Sequence, residues 1–317
     1  MLQLTAAWTL GQASSLALAQ NAVPPASAPA AGFADLMPAF WKPYDKGRAL
    51  DSPQRVERLM SEFFEPNAAA YRLAGLTVTP QRVRAWLPKF DGMSDAARLL
   101  HRAFAAIYET QQGHFTQALP DSQVKVSPVW LMPSLFTFDA HLEPQGPGQP
   151  LPLFFAPDGI LRFHGVDADL AVLFAHEWFH CYHALRAPLI SLDPKPGVHE
   201  ALWVEGLATY ASQQLHPEAT LTQVLLDDAA LAATPPAVLQ RAARAMLDVW
   251  ESQDPAASTP FLDMGYRGDW PPRVGYYAGL LAAQQLGQRT SLQVMAGWDR
   301  GDLSHRLRPV IESLSKG

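Results

Sequence analysis

Cysteine is almost missing from this chain: Cys181 stands alone in 317 residues. No intramolecular disulfide can form, so the fold has to rest on its core. Cys181 directly follows His180 but reads as a lone buried thiol on a helix rather than as a metal ligand. Charge is also sparse. Charged residues make up 17% of the chain against 48% hydrophobic, and the formal net charge is -6. With no block of Lys or Arg, nothing points to nucleic acid or an anionic membrane as partner. A local basic pocket is invisible in a net charge, so acidic peptides stay within reach. No segment offers 18 or more uninterrupted apolar residues, so no integral membrane helix is expected. No internal repeat at a fixed period is visible either.

What remains is the profile of an ordinary globular protein, long enough for one large domain or two small ones. Residues 4–19, LTAAWTLGQASSLALA, are weakly apolar and end in Ala17-Leu18-Ala19, an A-x-A-like cleavage signal. No Lys or Arg precedes Lys42, so the usual positive segment is missing. The expectation is a truncated signal peptide and export to a periplasmic or secreted location. A cytoplasmic protein with a disordered tail is the alternative. The Ala/Pro/Ser-rich stretch 21–32 reads as a flexible linker.

From about residue 50 to 113 the pattern is helical. Ser52-Pro53 and Thr79-Pro80 read as a cap followed by a first-turn proline, and Ser94 as the cap of a longer helix. Segments 124–132, 134–142 and 151–157 are rich in β-branched and aromatic residues and predict a small antiparallel sheet. Helical pattern returns near Asp167 and runs to the C-terminus. The expected fold is α+β and mostly helical. Its expected divisions are 1–32 (leader and linker), 33–120 (a helical region) and 121–317 (the chemistry-bearing region).

That chemistry begins at His176-Glu177-Trp178-Phe179-His180, an H-E-x-x-H motif in an apolar helical segment that Asp167 could cap. On a helix, positions i and i+4 share a face, so both imidazoles can reach one ion with bonds of ~2.0–2.1 Å. Glu177 lies about 60° around the helix from His180, beside the ion rather than on it, where a general base is needed. A catalytic zinc ion usually takes a third protein ligand. His183 is a further turn along the same helix, and three ligands on one straight helix wrap a tetrahedral ion poorly. Such a His lines the pocket or is solvated. Glu200 and Glu205 both sit in VHEALWVEGLATYAS, a second helix expected after Pro196-Gly197. Glu205 is the stronger choice, because small Gly206 and Ala208 beside it let this helix approach the first.

The motif followed by Trp203-Val204-Glu205-Gly206-Leu207-Ala208-Thr209-Tyr210 resembles the gluzincin metallopeptidases. It is similar both to their aminopeptidase branch and to small bacterial zinc proteases whose second helix reads E-G-L-A. The match covers about 45 residues, from Leu170 to Ser212. The resemblance implies a zincin-like fold with the sheet packed on the H-E-x-x-H helix, zinc as cofactor, and a peptide or protein substrate. It implies His176, His180 and Glu205 as metal ligands and Glu177 as the base. It also has departures. Position 183 is His and 186 is Arg, so the longer metzincin pattern fails. Thr209 stands where an acidic partner for a ligand His is often found, and the exopeptidase motif G-x-M-E-N is missing. A donor for the oxyanion is expected in PPRVGYYAGLL (271–281), where Pro271-Pro272 start a helix and Gly275 and Gly279 permit close packing. Tyr276 is the first choice, by likeness to a G-Y-x-x-G segment. Tyr277 follows, then Tyr210 or a His. The implied activity is zinc-dependent peptide hydrolysis. Its rivals are a catalytically silent zinc- or peptide-binding module and a zinc hydrolase of a non-peptide amide.

Overall fold

The computed structural model describes residues 33–122, 129–146 and 151–317. The Ala17-Leu18-Ala19 signal, the linker 21–32 and the first part of the strand expected at 124–132 lie outside the described residues. The described chain is mostly helical with one four-stranded sheet, an α+β protein. Its contacts divide it into two units; the chain passes from one to the other inside a helix, between Ala106 and Ile107, and again after residues 122 and 167.

The first unit holds strand β1 (Phe33–Asp35), α1 (Met37–Gly47), α2 (Ser52–Leu59), α3 (Ala68–Leu73), α4 (Pro80–Asp91) and the first half of α5 (Ser94–Ala118). It continues with β2 (Val129–Leu131), β3 (Ala140–Leu142), β4 (Leu153–Phe155) and α6 (Pro157–Phe163). Thr79 caps α4 as expected, its side chain accepting from the Arg82 amide at 3.2 Å. At α2 the cap is Asp51 rather than Ser52. Aromatic packing fills this core: Phe40 meets Trp41, Tyr44, Phe63, Trp86 and Phe90 at centroid distances of 5.0–5.9 Å. Asp91, at the end of α4, accepts from Tyr44 of α1 and pairs with Arg55 of α2 at 2.8 Å.

The sheet is mixed, not antiparallel. Its order is β1-β2-β4-β3. β1 runs parallel to β2 and β2 to β4, and only β3 is antiparallel. The sequence carries the reason. Val129–Leu131 and Leu153–Phe155 are unbroken apolar runs, buried at every position, as strands covered on both faces require. The stretch 134–142 does not pair along its length, because Leu135 and Phe136 take left-handed φ values of 57° and 58°. Buried Asp158 pins that turn by accepting from the Ser134 amide at 2.8 Å and the Phe136 amide at 2.9 Å. The Trp86 indole donates to the same carboxylate at 2.9 Å.

The second unit takes the rest of α5 and all that follows residue 167. Its helices are α7 (Leu170–Arg186), α8 (Pro188–Ser191), α9 (Val198–Leu215), α10 (Leu221–Val224), α11 (Ala229–Ala232), α12 (Pro236–Asp248), α13 (Pro255–Leu262), α14 (Val274–Gly287), α15 (Leu292–Met295) and α16 (Arg300–Leu314). Helix α9 is the centre of this unit, packed between α7 and α14. No described helix is long and apolar enough to cross a membrane.

Candidate metal centre

Helix α7 is apolar almost all round, which marks it as a core helix rather than a surface one. Asp169 caps it by accepting from the amides of Ala171 at 3.1 Å and Val172 at 3.2 Å. The expected cap, Asp167, lies two residues before the cap position and does not do this. Phe174 and Trp178 stack on each other, and Trp178 packs against Tyr108 and Phe115 of α5. That anchors one side of α7 and leaves His176 and His180 on another. Their rings lie edge to face with Nε2 atoms 3.0 Å apart.

Helix α9 supplies the third donor. Glu205 Oε2 lies 3.4 Å from His176 Nε2 and 3.5 Å from His180 Nε2. Ligand atoms on zinc bonds of ~2.0–2.1 Å at two corners of a tetrahedron stand about 3.4 Å apart, which the two Glu205 spacings match, while the two His nitrogens stand closer at 3.0 Å. The donor set suits the same ion, and these three residues form a group that could hold a metal. The electrostatics agree. Burial alone would raise the Glu205 carboxyl, yet His180 and His176 outweigh it and hold it well below the ordinary carboxylate range. Burial would lower His180, but Glu205 and then Glu177 raise it. The cluster favours positive charge at its centre.

The alternatives fall elsewhere. Glu200 is buried, but its carboxylate accepts from the Gly197 amide at 2.7 Å, closing the first turn of α9, and pairs with Arg300 of α16. His183 is fully buried beside Phe179, so it is not solvated. Burial, with the charge on His180, lowers its pKa to about 3, and neither ring nitrogen has a hydrogen-bond partner among the described residues. Cys181 is a buried thiol pushed up to about 12 by burial and by Glu177. Thr209 donates to the Glu205 carbonyl at 2.8 Å.

A third helix completes the surroundings. Tyr276 of α14 stacks on His176 with ring centroids 6.2 Å apart and planes 7° off parallel. Burial, then the Glu205 carboxylate, raises its hydroxyl well above the usual range, so it stays a donor. Glycine sets this closeness: a Cβ on Gly279 would come within 2.6 Å of the Gly206 Cα. Gly206 therefore serves the approach of α9 to α14, not to α7 as its place beside Glu205 suggested. Tyr210 instead lies against Gly287. Pro271-Pro272 precede α14, and its N-cap is Arg273, in the left-handed region at φ 58°. Arg273 lies 5.6 Å over the Tyr276 ring and pairs with Asp228 at 3.1 Å. Neither residue was singled out in the sequence. The one available signal was a lone charge in the apolar run PPRVGYYAGLL. The chain matches no protein-family model, no curated protein and no solved structure.

Proposed function

We propose that this protein is a zinc-dependent peptidase, with His176, His180 and Glu205 holding the ion. The observation that carries this reading is the convergence of three donor atoms from two helices within 3.5 Å of one another, with Glu177 close enough to act on His180. When bound, zinc supplies Lewis acidity, acidifying a water and polarising a carbonyl. The chain supplies the rest. Glu177, one residue along α7 from a ligand, takes a proton from the attacking water and returns it to the leaving amine. A structural zinc site has no use for such a base, which favours catalysis over a silent binding module. Tyr276, kept protonated by burial and by Glu205, donates its O–H to the developing oxyanion. The buried walls of α7 and α14 around these groups limit water and strengthen the electrostatics within.

Metal content tests the foundation. Purified protein is expected to carry about one zinc per chain. His176→Ala and His180→Ala each reduce this to near zero, and Glu205→Gln lowers it strongly. Near-stoichiometric zinc in either His variant, measured by elemental analysis, would overturn the assignment.

A further inference from the structure

Beyond Tyr276 lies a cavity of about 250 Å³ whose wall includes Asp228, Ala230, Met264, Arg267, Pro272 and Arg273. Arg273 is 5% exposed, and its Nε has no hydrogen-bond partner among the described residues. A buried donor left so costs about 1–3 kcal/mol. Its left-handed backbone adds strain that, among the described non-glycine residues of the unit, is shared only by the Leu226–Asp227 turn. Helix α14 begins directly after it with no side chain capping that end; the Tyr276 amide donates to the Arg273 carbonyl at 2.9 Å, and the positive end of the helix dipole lies there.

The charges on the wall do not cancel. Asp228 is engaged twice, by the Arg273 guanidinium at 3.1 Å and by the Leu231 amide at 2.9 Å, which it caps. Arg267 is exposed and donates to the backbone carbonyls of Met264 at 3.0 Å and Tyr266 at 2.7 Å, neither of them a charge. Two guanidinium groups thus face one carboxylate, in a chain whose net charge is -6. The apolar part of the wall, Ala230, Met264 and Pro272, suits methylene groups. Position matters as much as charge. Arg273 covers one side of the Tyr276 environment, and His176 stacks on that same ring, so a chain reaching the metal centre passes close by.

We infer that this cavity is a carboxylate subsite for the bound peptide, with Arg267 as the principal contact and Arg273 and the α14 N-terminus behind it. Guanidinium groups bind carboxylates through paired N–H donors, which gives geometry as well as charge. The carboxylate belongs either to an Asp or Glu side chain or to a free C-terminus. This inference rests on the peptidase reading of the adjacent centre.

The test is equilibrium binding to the zinc-loaded Glu177→Gln protein, which holds a peptide without turning it over. Fluorescence anisotropy would follow labelled alanine-rich hexapeptides carrying Glu or Gln at each position in turn, each with a free or an amidated C-terminus. At low ionic strength one acidic version is expected to bind at least about ten-fold tighter than its neutral counterpart. Whether that version is a Glu peptide or a free C-terminus identifies the source. Arg267→Gln, at an exposed position that leaves the core intact, removes the preference. Equal binding by all versions, binding by none, or a preference that survives Arg267→Gln would overturn the subsite. Turnover of the same peptides by the wild-type protein separates the two readings. Preference without cleavage keeps the subsite and rejects the peptidase, and cleavage without preference does the reverse.

Discussion

Glu177 and Tyr276 stand within one cluster and make separable predictions. Glu177→Gln keeps size and hydrogen bonding but cannot take a proton at neutral pH. Turnover of any cleaved peptide should fall by at least about 10²-fold, with zinc content unchanged on the same preparation. Wild-type turnover in that variant, with full metal, would remove Glu177 as the base. Tyr276→Phe deletes one donor while the ion still polarises the carbonyl, so a smaller loss in kcat is expected. Of the group that could hold a metal, the two His were legible in the sequence because helical period makes the geometry local: His176 and His180 share a face by arithmetic alone. Glu205 was chosen for its small neighbours, and it does join the two His, but Gly206 beside it meets α14 rather than α7. Arg273 was not legible, because a buried cation over an aromatic ring depends on which helix start meets which loop, and no local pattern encodes that.

At the scale of elements, the contact of Gly206 with Gly279 brings α9 and α14 together and so sets Tyr276 against Glu205. Gly206→Ala puts a methyl group into the backbone of α14, where no rotamer can relieve it. A loss of about 1–3 kcal/mol in urea denaturation is expected. An unchanged midpoint would show that the helices have slack there. In the other unit, the hydrogen bonds from Arg55 hold the Asp91 carboxyl below its ordinary value. A depressed folded pKa contributes stability above the unfolded value, lost as pH falls through the folded one. Asp91→Asn should therefore lower stability at neutral pH and flatten the acid limb below about pH 4. A wild-type pH profile of the urea midpoint in that variant would contradict this. Helix positions and the Thr79 cap followed from sequence. The caps at Asp51 and Asp169 differed from expectation by one and two residues, since neighbouring Asp and Ser compete for one role. Parallel pairing of β1, β2 and β4 was missed because partner choice is set over long sequence separations.

For the whole molecule, the division into two units predicts an uneven response to metal. Zinc that binds only the folded form adds stability of about 2.7 kcal/mol when its free concentration is 100 times Kd. The donors all belong to the unit that contains α7 and α9. A chelator should raise amide exchange in α7, α9 and α14 and leave α1 to α4 unaltered. Equal loosening in both sets of helices, followed by hydrogen exchange, would contradict a local metal effect. The junction of Gly206 and Gly279 carries a consequence of another kind. Where two backbones touch, there is no side chain to trim or enlarge, so the gap between a carboxylate donor on one helix and a hydroxyl on the other has no intermediate settings. Sequence variation would find that spacing closed to single steps, and would have to work through the loops around α14 instead. The candidate metal centre is in this sense inherited whole, while the loops around it stay open to gradual change.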